Sequence, residues 1–131
     1  MNSITVIVPV TVKAKLTEKL RAHLVNEFTK TAEQMDLEIK QINIDRQREL
    51  TAHPEHGEQI VRFFGAEVNK RQQQREEALA RKENIEKLSL GAEIVQGTLS
   101  QQIELQVGDN FRDVMNAEIL VEDDKIVSIR A

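Results

Sequence analysis

The feature that most constrains this chain is a segment of 34 residues, 17–50, that contains neither glycine nor proline. Its apolar side chains recur at helical spacing, and at roughly 100° per residue one stripe collects most of them. This stripe contains Leu24, Phe28, Ala32, Met35, Ile39, Ile42 and Leu50. Thr17 is a suitable N-cap, because its hydroxyl can accept a hydrogen bond from a free N–H of the first turn. The pattern predicts a helix about 50 Å long.

A second helix is predicted from Pro54 to about Leu88. Proline suits the first position of a helix, and the glutamates that follow it suit the positive N-terminal end. With a turn near residues 51–54, the two helices fold back on each other, and residues whose numbers sum to about 104 lie opposite. We therefore predict an antiparallel coiled-coil hairpin over residues 17–88.

The middle of this hairpin is polar on both helices. On the second helix the apolar stripe is interrupted by Arg71 and Arg75. The register of 104 predicts that one of these arginines lies near Glu27 or Glu33. We expect the middle of the hairpin to be held less tightly than its ends.

The two ends of the chain follow a period of two, which is typical of strands. Valine and isoleucine alternate with other residues from Ile4 to Lys13, and Pro9 places that strand at an edge or at a bend. Four further strands are expected at residues 93–99, 101–107, 117–121 and 126–129. The predicted fold is α+β, with a small five-stranded sheet or partly closed barrel built from residues 1–16 and 89–131. The helical hairpin is inserted between these two segments.

Composition excludes several classes of protein. Cysteine is absent, which rules out disulfides and thiolate chemistry. The net charge of −4 argues against a DNA-binding module, and no apolar run approaches the roughly 20 residues that span a membrane. We find no export signal and expect a cytoplasmic protein.

No arrangement of residues indicates catalysis or a cofactor. The chain has no nucleophile motif, P-loop or dinucleotide fingerprint, and the acidic run 122–124 is most simply a hairpin turn in solvent. His53 and His56 are spaced like metal ligands but flank a proline in a turn, with no third ligand nearby. We therefore predict no enzyme, no cofactor and no metal site.

Three apolar residues lie off the stripes that the hairpin can bury. Leu37 and Ile44 are seven positions apart and project nearly opposite to Met35, while Phe63 lies off the stripe of the second helix. A hairpin of two helices hides one stripe on each, so these residues form a candidate surface for self-association, with a dimer favoured, or for docking a protein partner.

A second hypothesis concerns the most basic part of the chain. Residues 69–82 carry five basic and two acidic groups, and could contact the phosphates of RNA or of a ribosome. The basic residues are Lys70, Arg71, Arg75, Arg81 and Lys82. No aromatic residue is present there to stack on bases, and ion pairing along the hairpin is an alternative explanation of these charges.

Both ends of the chain resemble one family of bacterial proteins, the YlqD family. The resemblance rests on the runs Val6–Lys13, Val107–Phe111 and Glu118–Asp123, together with Leu16-Thr17. It implies a cytoplasmic protein without an assigned biochemical activity and with no catalytic residues to carry over. It also implies an association with genes of the ribosome or of RNA maturation.

Overall fold

The computed structural model describes residues 1–130, which form two compact units. One unit contains Met1–Leu20 and the residues from Leu88 onward, and the other contains Arg21–Lys87. The first unit carries a β-sheet and the second a long helical hairpin. The predicted α+β class and the helical hairpin are confirmed.

Two long helices form the hairpin. Helix α1 spans Glu18–Ala52 and helix α2 spans Gly57–Lys87, with a short 3-10 turn at Pro54–His56 between them. The predicted N-cap is present, because the Thr17 hydroxyl oxygen accepts a hydrogen bond of 3.1 Å from the backbone N–H of Leu20. Among residues 1–130, no helix is both long and apolar enough to cross a membrane.

The turn comes later than predicted. No residue before Pro54 interrupts the helix, so α1 continues to Ala52, and the N–H of His53 still donates to the carbonyl oxygen of Glu49 at 2.8 Å. The chain therefore reverses over residues 53–56 rather than 51–54.

Ion pairs between the helices fix a register that differs from the predicted one. Arg71 Nε lies 3.6 Å from Glu38 Oε1, and Arg75 Nε lies 2.8 Å from Asp36 Oδ1. The residue numbers of these pairs sum to 109 and 111, so the predicted sum of 104 was wrong. The expected neighbours of the two arginines, Glu27 and Glu33, were wrong for the same reason.

The first unit holds an open mixed sheet of four strands in the order β2-β1-β3-β4. Its strands are β1 (Ser3–Lys15), β2 (Glu93–Gln106), β3 (Glu118–Glu122) and β4 (Lys125–Arg130). β1 pairs antiparallel with β2 and parallel with β3, while β3 and β4 form an antiparallel hairpin. A short helix α3 (Phe111–Met115) precedes β3, and its N-cap is Asn110.

The prediction of a fifth strand and a partly closed barrel was wrong. Residues 93–106 form one long strand instead of two, and Ser100 pairs with Pro9 in mid-ladder. β1 offers 13 residues as a template, so β2 gains more hydrogen bonds by continuing along it than by turning back. β1 and β3 pair only from Thr11 to Ala14, and the described sheet stays open.

The position of Pro9 follows from this short pairing. The N–H of Thr11 donates to the carbonyl oxygen of Ala117 at 3.0 Å, on the β3 side of β1. Because alternate residues of a strand direct their N–H groups to the same side, the nitrogen of Pro9 also faces that side. There β1 has no paired neighbour before Thr11, so the missing N–H removes no ladder hydrogen bond.

Leu16 is the anchor of this unit. It follows β1 directly and is only 1% exposed. Its N–H donates to the carbonyl oxygen of Ala92, and its own carbonyl oxygen accepts from the N–H of Gly91, both at 2.8 Å. Gly91 has φ of 89°, a conformation that favours glycine. These contacts join the first strand to the segment that enters β2.

The β3–β4 turn also contacts the start of α1. Its two central residues, Asp123 and Asp124, have φ of 45° and 69°, as in a type I′ turn. The Thr17 hydroxyl donates a hydrogen bond of 2.7 Å to Asp123 Oδ1. The acidic run 122–124 thus closes a hairpin, as predicted, and positions one carboxylate on the cap of α1.

An ion-pair network crosses all four strands of the sheet. Lys13 Nζ lies 2.7 Å from Glu118 Oε1, and Arg130 contacts both Glu118 and Glu93. Arg130 binds Glu93 with both of its terminal nitrogens, at 2.8 and 3.3 Å. Hydrogen bonds from Arg130 hold the pKa of Glu93 below its ordinary value of 4.5, and those from Lys13 and then Arg130 do the same for Glu118.

This network predicts a loss of stability in acid. A carboxylate whose pKa is lowered by folding stabilises the fold at neutral pH and ceases to do so as the pH falls through the folded pKa, here below 4.5. Arg130→Gln should therefore lower the midpoint of thermal unfolding at pH 7 and have less effect at pH 3. Thermal unfolding followed by circular dichroism from pH 7 to 3 measures this, with Lys125→Gln on the same strand as the control. An equal effect of Arg130→Gln at both pH values would contradict the prediction.

Candidate interaction surface

Leu37 and Ile44 lie on the outer face of α1. At seven positions apart they share a helix face, and that face is opposite to the one that carries Met35, Ile39 and Ile42. Leu37 is 61% exposed and Ile44 is 45% exposed, whereas the three residues of the inner face are half-buried. The outer face of α1 therefore presents two large apolar side chains to solvent.

A shallow groove of about 500 Å³ lies beside Ile44. The rest of its lining is Gln47, Arg48, Thr51 and Ala52, all on the same face of α1. The groove combines an apolar base with one cationic side chain, so it is suited to an apolar side chain next to a carboxylate.

Phe63 lies on a different surface. It is 61% exposed and packs edge-on against Phe64, with ring centroids 5.2 Å apart. Both rings line a groove of about 440 Å³ at the turn of the hairpin, together with Glu49, His53, His56, Gln59 and Ile60. Neither groove shares a residue with the other. Phe63 and Ile44 thus line different grooves, although both were predicted to belong to one patch.

The two histidines of the turn remain exposed. His53 Nδ1 lies 3.4 Å from Glu55 Oε1, and His56 Nε2 lies 3.8 Å from the same oxygen. Within residues 1–130, no three histidine or carboxylate side chains are grouped so that they could hold a metal ion. Both histidines contribute polar side chains to the lining of the groove beside Phe63 and Phe64.

The basic stretch is largely occupied by carboxylates of the hairpin itself. Arg71 contacts Glu38 and Glu67, Arg75 contacts Asp36, and Arg81 Nη2 lies 2.7 Å from Glu77 Oε1. These pairs reduce the positive charge that an RNA phosphate would meet. Lys70 and Lys82 have no ion pair within the described part of the chain. RNA binding by this stretch stays a prediction.

Many exposed apolar side chains lie on the strands of the first unit, where none was predicted. Large exposed residues of the strands include Ile4, Leu99, Ile126 and Ile129. The alternating pattern identified these residues as strand residues, but it did not show which face of the sheet would be covered. Because the sheet stays open, they remain in solvent.

Comparison with known proteins identifies the family. The family described as YlqD protein matches residues 4–130. The chain belongs to the YlqD family. A crystal structure of a protein of unknown function from Synechococcus sp. WH 8102 is similar to this YlqD protein, with a TM-score of 0.91 and 22% sequence identity. The similarity covers 98% of this chain and 97% of that one.

No curated protein matches this YlqD chain. At 22% identity the likeness to the Synechococcus protein concerns the fold alone. The function of this YlqD family member must therefore be argued from its own surfaces.

Proposed function

We propose that the chain is a cytoplasmic, non-catalytic interaction protein whose helical hairpin joins it to a second copy of itself. The observation that carries this proposal is the exposure of Leu37 and Ile44 on the outer face of α1. That face is opposite to the one that carries the half-buried residues Met35, Ile39 and Ile42. The exposed parts of these two large apolar residues contribute nothing to the hairpin, but they can be buried by a partner.

The inner faces support packing as an antiparallel coiled coil. On α1 the residues that face α2 alternate in steps of three and four, as coiled-coil residues do. They are half-buried or buried: Phe28, Ala32, Met35, Ile39 and Ile42. The inner face of α1 is therefore already covered by α2, so a second copy must bind the outer face.

The energy of the association is expected to be modest. Complete burial of a leucine or isoleucine side chain contributes roughly 1.5–3 kcal/mol, and both residues already bury part of their surface. Four such side chains in a dimer contribute a free energy of the same order as the cost of association, which is several kcal/mol, so the balance is only slightly favourable. We therefore expect a dimer that depends on protein concentration.

The proposal predicts that Leu37→Asp/Ile44→Asp converts a dimer into a monomer, because it places charges in the apolar contact. The molar mass in solution, from size-exclusion chromatography with light scattering, measures this at several concentrations. Since both sites are exposed, the helix content by circular dichroism should not change.

A matched control is Leu99→Asp on β2, whose leucine is 57% exposed. This variant should remain dimeric if the hairpin carries the association. A wild-type chain that is monomeric at every concentration would refute the proposal. So would a dimer that Leu99→Asp dissociates and the hairpin variant does not.

A further inference from the structure

The outer face of α1 carries four side chains in a self-complementary order. An acidic residue, two apolar residues and a basic residue follow one another as Glu33, Leu37, Ile44 and Arg48, with spacings of four, seven and four. All four are exposed and lie on one side of the helix. The order is symmetric about a point between Lys40 and Gln41, except that the charge changes sign across it.

We infer that two copies of the chain pair through this stripe, with their α1 helices antiparallel about a two-fold axis at residues 40–41. The inference rests on the proposed function and names the partner and the register. In this arrangement, residues whose numbers sum to 81 lie opposite. Leu37 meets Ile44 of the second copy, and Glu33 meets Arg48 of the second copy. The two-fold axis produces each contact twice.

The charges at the ends of the stripe are free to make such pairs. Neither Glu33 nor Arg48 forms an ion pair within residues 1–130, whereas Asp36 and Glu38, nearby on α1, are engaged by arginines of α2. Glu33 and Arg48 are 15 positions apart, or about 22 Å along one helix, so they cannot pair within one chain. Only a second copy can bring them together.

The surface beside Ile44 also fits this arrangement. Its groove is lined by Gln47, Arg48 and Thr51 and is open to solvent. The antiparallel register brings Leu37 of the second copy to Ile44 and the carboxylate of its Glu33 to Arg48. The groove therefore receives an apolar side chain and a carboxylate, which are the two groups that its lining suits.

A parallel pair in register is disfavoured by the same charges. Two α1 helices side by side in the same direction and in register would place Glu33 against Glu33 and Arg48 against Arg48. Like charges directly opposite each other are repulsive. The antiparallel arrangement replaces both repulsions with attractions.

The stripe is short, which limits the affinity. A standard interface buries roughly 800 Å² per partner, and a seam of four side chains with their neighbours buries less. The dimer is thus expected to dissociate on dilution. It has to be measured over a range of concentrations rather than at one.

Charge reversal tests the register. Glu33→Arg alone and Arg48→Glu alone each replace two attractions with two repulsions, so each variant should self-associate about tenfold more weakly than the wild type. A mixture of the two variants restores both pairs, because one copy is basic at both positions and the other acidic at both. The mixture should form a heterodimer of near wild-type affinity. Sedimentation velocity over a concentration series measures the affinities.

Two further variants sharpen the test. Glu76→Arg reverses an exposed charge on α2 outside the stripe and should leave the dimer unchanged. Lys40 is exposed on the same face, between Leu37 and Ile44, so the two-fold axis places it next to Lys40 of the second copy. Lys40→Gln removes this like-charge contact and should tighten the dimer. Circular dichroism confirms that every variant keeps its helix content.

The outcomes separate this inference from the proposed function. Weakened single variants that recover on mixing support the antiparallel register. A wild-type dimer that neither reversal weakens, or variants that do not recover on mixing, overturns the register but leaves self-association standing. A chain that is monomeric throughout overturns both.

Discussion

Leu16→Ala should lower the free energy of unfolding by about 3 kcal/mol. Leu16 is only 1% exposed, and within the described residues it is the one large side chain that is fully buried. Truncation removes its transfer free energy and leaves a cavity that the surrounding strands cannot fill by a small shift. The backbone of Leu16 also forms hydrogen bonds with Ala92 and Gly91. Its side chain and its backbone therefore both connect the end of β1 to the segment that enters β2.

The measurement is urea denaturation followed by circular dichroism, because the chain has no tryptophan or tyrosine to report by fluorescence. Leu99→Ala is the matched control: it makes the same change at a site that is 57% exposed and lies outside the proposed dimer contact, and it should alter the free energy of unfolding by less than about 0.5 kcal/mol. A loss below about 1 kcal/mol for Leu16→Ala would mean that the site relaxes, and that the sheet does not depend on this side chain.

The helices could be predicted from the sequence because the information that forms them is local. Thirty-four residues without glycine or proline, an apolar stripe and a threonine at the N-cap are all properties of neighbouring residues. The structure has α1 at Glu18–Ala52, capped by Thr17. The outer-face positions of Leu37 and Ile44 follow from the same spacing.

The pairing of the two helices is not local and was predicted incorrectly. In a hairpin, moving the centre of the turn by n residues changes the sum of facing residue numbers by 2n. The observed turn, 53–56, is centred about two residues beyond the predicted one, which accounts for most of the change in the sum. The observed ion pairs, Arg71 with Glu38 and Arg75 with Asp36, select this register. A charged residue between two paired helices can specify which residues face each other.

The number of strands in the sheet was predicted incorrectly for a similar reason. The pattern of residues 93–107 is compatible with one long strand or with two short ones, and only the partner decides. β1 pairs with β2 along its whole length, from Ser3 with Gln106 to Lys15 with Glu93. The long strand and the open sheet leave Leu99 57% exposed, and the alternating pattern alone did not show which face of the sheet would be covered.

Two buried alanines provide a direct check of the observed register. Ala32 on α1 and Ala78 on α2 are each only 5% exposed, and their numbers sum to 110, between the sums of the two ion pairs. They therefore lie opposite each other, where small side chains allow the helices to approach closely. In the predicted register, Ala32 would have faced Gln72, an exposed polar residue, and a larger side chain would fit there.

Ala32→Leu should accordingly destabilise the hairpin by about 2 kcal/mol, because three added carbons must displace Ala78 and the backbone behind it. Ala80→Leu, the same change at an exposed position of α2, should alter the free energy of unfolding by less than about 0.5 kcal/mol. Urea denaturation followed by helix content compares the two. If Ala32→Leu is as well tolerated as Ala80→Leu, Ala32 does not face Ala78, and the register defined by the ion pairs is wrong. The antiparallel pairing of two copies would survive that result, because it depends only on the outer face of α1.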